Sequence, residues 1–307
     1  MIITQPVFSA TLPGIPEFID EMVARHHFKR DELNLLFERA NYKPVIIEAI
    51  SRPSTTRPWL EYRAAFVNEK RIKSGLLFWN KYRKTLRRAE QKYGVPQEII
   101  VSLIGVETLY GENAGNFRII DALTTLAFDY PRRADFFRDE LENYLLLARE
   151  QQFDLLSVRG SYAGAMGIPQ FMPSSYRKYA VDFNGNHRID LLNEPVDAIG
   201  SVGNYLHEYG WIKGGLISAR ASVEGEIPDA NPPRSLTDWA QAGVTVKVRS
   251  KADARLLDFT VEDGKEYWLG FNNFDVITRY NHSDFYAMSV FELAEALKAA
   301  HRVKHRK

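Results

Sequence analysis

The sequence predicts an α+β chain that is mostly α, and three observations carry that prediction. Apolar residues recur at helical spacing through most of residues 16–209, short alternating segments crowd between Gly214 and Asn273, and helical spacing returns from Phe285 to Ala300. With 307 residues, 45% of them hydrophobic, the chain can bury a substantial core and has room for two or three subdomains. The expected division is a helical domain over 1–94, a core over 95–211, a small antiparallel β insertion over 212–274, and a helix over 275–307 that returns to the core.

In chain order, periodicity places helices at Pro16 to His27, Asp31 to Ala40 and Trp59 to Val67, and a long one from about Lys70 to Tyr93. Gly94-Val95-Pro96 breaks the pattern and opens the next helix, since proline suits a helix start. Its body, Ile99 to Val106, reads IIVSLIGV, so it must be buried on most sides. Further helices are expected at Ile119 to Phe128, Arg132 to Gln151, Pro173 to Val181 and Pro195 to Tyr209. Val244 to Val248, Leu256 to Glu262 and Tyr267 to Phe271 alternate and read as strands. In the last helix Met288, Phe291, Leu293 and Leu297 form the core face, and His301 to Lys307 is expected to fray.

Formal net charge is +1, with a basic surplus in residues 1–94 concentrated from Arg57 to Lys92. Trp59, Tyr62, Phe66, Phe78, Trp79 and Tyr82 interleave with those cations. Their spacing fits amphipathic helices with a solvated basic face, so nucleic acid is not the expected partner. There is no cysteine, which removes disulfides and thiolate metal sites and leaves the redox compartment open. No apolar run reaches the length of a membrane span, and Met1 to Ala10 lacks the pattern of a signal peptide.

Two stretches carry chemistry. In SLIGVETLYG (Ser102 to Gly111), Glu107 ends the apolar run. Partial desolvation and the negative end of the helix dipole both disfavour its ionisation, which keeps a proton available near neutral pH for general acid work. The bland alternative is a Glu that leaves the core for solvent. In GSYAGAMGIPQFMPSSY (Gly160 to Tyr176), Gly160, Gly164, Gly167, Ala163 and Ala165 are expected to expose backbone to a ligand, while Ser161 and Gln170 supply uncharged hydrogen bonds. A tight structural turn is the alternative.

A third stretch, Asp182 to Asp190 (DFNGNHRID), approximates the spacing of an EF-hand calcium loop. Asp182, Asn184 and Asn186 fall at the first, third and fifth places, Arg188 at the seventh, where such loops use a backbone carbonyl, and Asp190 at the ninth. His187 replaces the usual glycine and Asn193 the usual bidentate Glu, so the last ligand must come from Glu194 or Asp197. The expectation is a structural calcium ion of modest affinity. An Asx-rich turn without metal is the alternative.

Taken together, these residues resemble the B family of lytic murein transglycosylases. The resemblance spans nearly the whole chain: IGVETLYG, DALTTLAFDYPRR from Asp121 to Arg133, GSYAGAMGIPQFMPSSY, the calcium-loop region, PVDAIGSVGNY from Pro195 to Tyr205, and ITRYNHSDFYAMSV from Ile277 to Val290. It implies a lysozyme-like catalytic core flanked by the helical and β parts, with Glu107 as catalytic acid. By motif, Ser161, Met166 and Gln170 match glycan-cleft residues, and Tyr62, Tyr205, Tyr280, Asn281 and Tyr286 the rest of the cleft. It further implies a periplasmic monomer acting on peptidoglycan strands, with wall-synthesis proteins as partners and membrane contact only through a lipid anchor not present in this chain. No cofactor for catalysis is expected.

Glycosidases usually need two carboxylates, and Glu107 is the single candidate; Glu112 and Asp121 lie outside the Gly-rich and Tyr-containing motifs. The expected scheme has Glu107 protonate the glycosidic oxygen and then, ionised, remove the C6 hydroxyl proton so that a 1,6-anhydro sugar closes. A hydrolytic muramidase and a non-catalytic wall-binding protein are the alternatives.

Overall fold

The structure is a computed structural model and describes residues 12–52, 57–226 and 229–304. The expectation concerning Met1 to Ala10 lies outside the described residues. The helices and strands follow the order α1 (Ile15–His26), α2 (Arg30–Arg39), α3 (Pro44–Ser51), α4 (Trp59–Phe66), α5 (Glu69–Lys81), α6 (Arg83–Tyr93), α7 (Gln97–Thr108), β1 (Phe117–Arg118), α8 (Ile119–Asp129), α9 (Ala134–Gln151), β2 (Arg159–Gly160), α10 (Pro173–Tyr179) and α11 (Pro195–Glu208). There follow β3 (Ser218–Val223), α12 (Leu236–Gln241), β4 (Val244–Val246), β5 (Arg255–Val261), β6 (Gly264–Gly270), α13 (Asn272–Thr278) and α14 (Asp284–Lys304). The chain divides into two compact units and passes between them three times, the last time inside α11.

One unit holds the described residues up to Arg52 together with Gly111–Ala198. Every residue from Ile119 to Ala127 on α8 is buried, and it packs along α9, whose Phe137, Leu141, Tyr144, Leu145 and Leu147 form the facing stripe. Phe18 of α1 meets Phe37 and Phe128 edge-on at 6.1 and 5.8 Å, which closes the core from the other side. Helix α3 is absent from the sequence expectation, because PVIIEAIS is short and its adjacent β-branched residues show no helical period. Two buried carboxylates are structural. Asp121 accepts from the Arg118 guanidinium at 2.8 and 2.7 Å and from the backbone of Asn41 at 2.9 Å. Glu140 reaches from α9 to the first turn of α10, where Ser174 donates through its backbone N–H at 2.9 Å and its hydroxyl at 2.6 Å.

The other unit holds the described residues from Arg57 to Tyr110 and Ile199 to Lys304. The long helix expected to Tyr93 is two helices, α5 and α6, hinged at Tyr82. The apolar spacing of Phe78, Trp79, Leu86, Ala89 and Tyr93 runs through the hinge, and no Gly or Pro marks it, so periodicity carried no sign of the break. Helix α14 packs on α7, α5 and α4. It continues through Lys304 rather than fraying at His301, whose ring stacks on Trp79 at 4.4 Å.

The sheet of this unit has the order β4-β3-β6-β5, antiparallel throughout. Its inner face and α12 enclose Ala219, Ala221, Trp239, Val244, Leu256 and Leu269, and the Trp239 indole donates to the Ala254 carbonyl at 2.7 Å. Strand β3 was not expected because its inward residues are the small Ala219 and Ala221, which leave no hydrophobic signature. Helices α12 and α13, six and seven residues long, are too short for periodicity to detect.

Candidate active site

Helix α7 begins directly after Pro96, and each residue from Ile99 to Val106 is buried. Ser102, the one polar residue of that run, donates to the Val290 carbonyl of α14 at 2.5 Å, so the helix is tied down on its polar position as well. Glu107 therefore emerges from a fixed rod in its last turn. Its residue keeps some accessible surface, but its carboxyl is desolvated. Burial pushes the pKa up to about 7, and a hydrogen bond from Tyr286, which favours the ionised form, works against that rise.

Tyr286 lies in the first turns of α14, almost wholly buried, and its hydroxyl donates to Oε1 of Glu107. Burial and the Glu107 charge hold the Tyr286 phenol far above its ordinary pKa, so it remains a donor. Tyr280 lies in the α13–α14 turn with its ring nearly parallel to Tyr286, 12° between planes and 6.5 Å between centroids. Its pKa is likewise raised, by burial and then by Glu107. Tyr62 of α4 is pushed up by the same two causes and packs against Phe66 and Phe285 at 4.9 and 5.7 Å. The structure thus gathers Tyr62, Tyr280 and Tyr286 around the Glu107 carboxyl.

Tyr205 stands a step back. It is 5% exposed, donates its hydroxyl to the Arg279 carbonyl at 2.7 Å, and packs between Tyr209 and Tyr280 at 4.6 and 4.7 Å. It props the Tyr280 ring. Asn281 is exposed in the same turn, where its carbonyl accepts from Ser283 at 2.7 Å.

In the other unit, Gly160 to Tyr176 folds as two successive tight turns beside the β1–β2 pair. Met166 bridges to Gly160 on one side and Phe171 on the other. Ser161 Oγ accepts from the backbones of Ala163 and Ala165 at 3.2 and 3.0 Å. Gln170, held at φ 53°, turns its amide nitrogen onto the carbonyls of Ala114 and Gly167 at 3.0 and 2.8 Å, which leaves Oε1 as the atom it can offer a ligand.

Two expectations for this loop need correction. Its glycines face protein rather than a ligand: a Cβ at Gly160 would lie 2.1 Å from the Ala165 carbonyl oxygen, and one at Gly167, where φ is 72°, 2.3 Å from that of Leu191. Met166 has no accessible surface, so its side chain supports the loop from beneath and does not meet solvent. Two further features went unseen in the sequence. Gly115, at φ 93°, lets the Gly160 backbone approach, and it lies outside both SLIGVETLYG and GSYAGAMGIPQFMPSSY. The Tyr286–Glu107 bond joins residues 179 apart, a pairing no local spacing signals.

The calcium-loop segment is an Asx cage. Asp182 accepts from the backbones of Gly185 and His187, each at 2.7 Å, and of Asn186 at 3.2 Å. Slight burial opposes the effect, but those three donors hold its carboxyl below the ordinary value. Asn184 and Asn186 cap Asn186 and Arg188, each at 2.9 Å. Asp197, fully buried at the start of α11, accepts from Phe183, Asn184 and Asp190 at 2.8, 3.3 and 3.0 Å. Every side-chain acceptor in this set is an oxygen, and each carboxylate oxygen has lone pairs beyond those the amides use, which fits a hard cation. Among the described residues no group of three or more His, Cys, Asp or Glu side chains could hold a metal, so amide and carbonyl oxygens would have to complete the shell.

Chemically, a carboxyl with a pKa of about 7, steadied by a phenol and walled by aromatic rings, can give and take a proton at neutral pH and stack on sugar faces. The comparisons agree with such equipment. The family model described as Transglycosylase SLT domain matches residues 12–295. The membrane-bound lytic murein transglycosylase B of Escherichia coli is 44% identical over 305 residues, covering 95% of this chain and 84% of that protein. The soluble lytic transglycosylase SltB1 of Pseudomonas aeruginosa superposes with a TM-score of 0.89 at 48% identity, covering 94% of this chain and 99% of that one. The lytic transglycosylase Slt35 of Escherichia coli, solved in complex with calcium, gives 0.89 at 44% identity, covering 95% and 94%.

Fold and site together define a peptidoglycan-cleaving enzyme with the lysozyme-like fold of the lytic transglycosylases. The chain belongs to the Transglycosylase SLT domain family, and within it to the lytic murein transglycosylases of the B type.

Proposed function

We propose that the enzyme cleaves the β-1,4 bond between N-acetylmuramic acid and N-acetylglucosamine in peptidoglycan and leaves 1,6-anhydro ends, with Glu107 acting first as acid and then as base. The observation that carries this is the desolvated Glu107 carboxyl held by the Tyr286 hydroxyl. The surroundings of the neighbouring carboxylates support it: Asp121 is taken up by Arg118 and Asn41, and Glu112 is exposed. In the first step Glu107 gives its proton to the glycosidic oxygen while the substrate's own acetamido group stabilises C1. Glu107, now ionised and still held by the Tyr286 hydroxyl, then takes the proton of the C6 hydroxyl, and that oxygen closes on C1. An internal nucleophile so placed has an effective concentration of about 10⁵ M or more, enough to outrun water.

Tyr62, Tyr280 and Tyr286 would line the sugar path, with Tyr205 behind Tyr280. Ser161, through its hydroxyl hydrogen, and Gln170, through Oε1, would hold the substrate's polar groups, and Asn281 is exposed to reach a more distant sugar. The division into 1–94, 95–211, 212–274 and 275–307 belongs to the same proposal. A structural calcium ion is proposed at Asp182, Asn184, Asn186, the Arg188 carbonyl and Asp197, supported by the all-oxygen donor set and by the calcium complex of Slt35. The proposed setting is the periplasm, as a monomer meeting wall-synthesis proteins. The membrane-bound relative supports an envelope location, and no helix among the described residues is long and apolar enough to cross a membrane.

Mass spectrometry of fragments released from purified sacculi tests the reaction. Anhydro ends are expected; reducing ends would replace this reading with a hydrolytic muramidase.

A further inference from the structure

The turn that follows Glu107 is strained, and a half-buried cation sits behind it. Leu109 and Tyr110 are consecutive non-glycine residues in the left-handed region, at φ 51° and 63°. Their backbones donate to Gly105 and Ile104 at 3.1 and 3.4 Å, which ends α7 and folds the Tyr110 side chain back along the helix. The phenol lies where only glycines leave room: a Cβ at Gly75 of α5 or at Gly105 of α7 would fall 2.3 or 2.5 Å from its oxygen. From there the hydroxyl donates to the Arg71 carbonyl at 2.9 Å.

Arg71 in turn joins two helix ends. Its Nε donates to the Gly105 carbonyl at 2.8 Å and its Nη1 to the Ala65 carbonyl at 2.6 Å, while its Cζ lies 5.2 Å from the Phe66 ring centroid. Gly105 precedes Glu107 by two residues on α7, and Ala65 follows Tyr62 by three on α4. Helix C-termini carry negative partial charge, which favours a cation there. A guanidinium holds two carbonyls in one rigid fork, whereas an ammonium is a single point.

We propose that Arg71, locked by Tyr110, is a positioning residue that fixes the Glu107 carboxyl in register with Tyr62 by clamping the last turns of α7 and α4 together. The clamp does not touch substrate; it acts through the placement of the acid. This rests on the reading of Glu107 as the acid.

The test is steady-state cleavage of purified glycan by the full chain carrying Arg71→Lys, with Tm measured alongside. The expected result is a kcat about 10- to 100-fold lower with KM within about twofold of the parent and Tm near the parent's, because a small misplacement of a reacting group costs rate rather than binding. A parent-like kcat, or a loss confined to KM, overturns the proposal. Should Arg71→Lys fail to fold, Tyr110→Phe keeps the ring and removes one hydrogen bond; a fall in kcat of a few fold at constant KM supports the clamp, and unchanged kcat overturns it. Glu107→Gln separates the two readings. If that variant keeps full activity, the assignment of the acid fails; if it is inactive while Arg71→Lys is unimpaired, the clamp alone fails.

Discussion

The hydroxyl of Tyr286 donates to Oε1 of Glu107, so the carboxyl is held by one phenol while burial denies it water. The two effects oppose each other, and burial wins, leaving the pKa at about 7. Removing the phenol in Tyr286→Phe takes away the effect that favours ionisation. The alkaline limb of kcat/KM, where the acid loses its proton, is therefore expected at higher pH than in the parent, with a rate about 10-fold lower at neutral pH because the carboxyl is no longer oriented. A pH-rate profile checks this; a limb that stays in place or moves to lower pH counts against it.

The same burial has a consequence for stability. An unfolded Glu ionises near 4.5 and the folded Glu107 near 7, so between these values the native state binds the extra proton and stability falls as pH rises, levelling off above 7. The loss amounts to about 3 kcal/mol at most. Glu107→Gln removes it, and urea unfolding across pH 4 to 8 is expected to show the variant gaining on the parent through that window. Parallel curves would contradict the assignment.

The inward-facing glycines give a sharper structural prediction. Gly167→Ala places a Cβ against the Leu191 carbonyl at positive φ and is expected to cost over about 2 kcal/mol. Gly185→Ala, also at positive φ but with open space around it, is expected to cost only about 1 kcal/mol. Denaturant unfolding of both variants decides, and equal losses would show that packing around Gly167 is looser than described.

Much of this was legible in the sequence, for identifiable reasons. The run from Ile99 to Val106 is apolar at every position but Ser102 and Gly105, and a helix of that composition has to be buried, which left Glu107 at a desolvated end. The small residues from Gly160 to Gly167 were equally visible, but composition cannot say which way a glycine faces, and these face the protein. Helices α12 and α13 escaped because six or seven residues carry little period and no proline opens them as Pro173 opens the equally short α10, and β3 because Ala219 and Ala221 carry little hydrophobic signal. The hinge at Tyr82 and the Tyr286–Glu107 bond depend on tertiary packing, which leaves no local pattern.

The Asx cage yields a prediction about metal. Calcium at millimolar concentration is expected to raise the Tm of the parent by a few degrees, because a ligand of the native state adds RT ln(1 + [Ca]/Kd) to its stability. Asp182→Ala removes the first-place carboxylate and with it that rise. No calcium-dependent shift in the parent, or the same shift in the variant, would show that the cage holds no calcium.

The most direct test of the central claim is the rate at which Glu107→Gln releases soluble fragments from sacculi. The glutamine keeps the size of the side chain but has no proton of suitable acidity to give, so a loss of at least about 10²-fold is predicted with the fold intact. Release at the rate of the parent protein would contradict it.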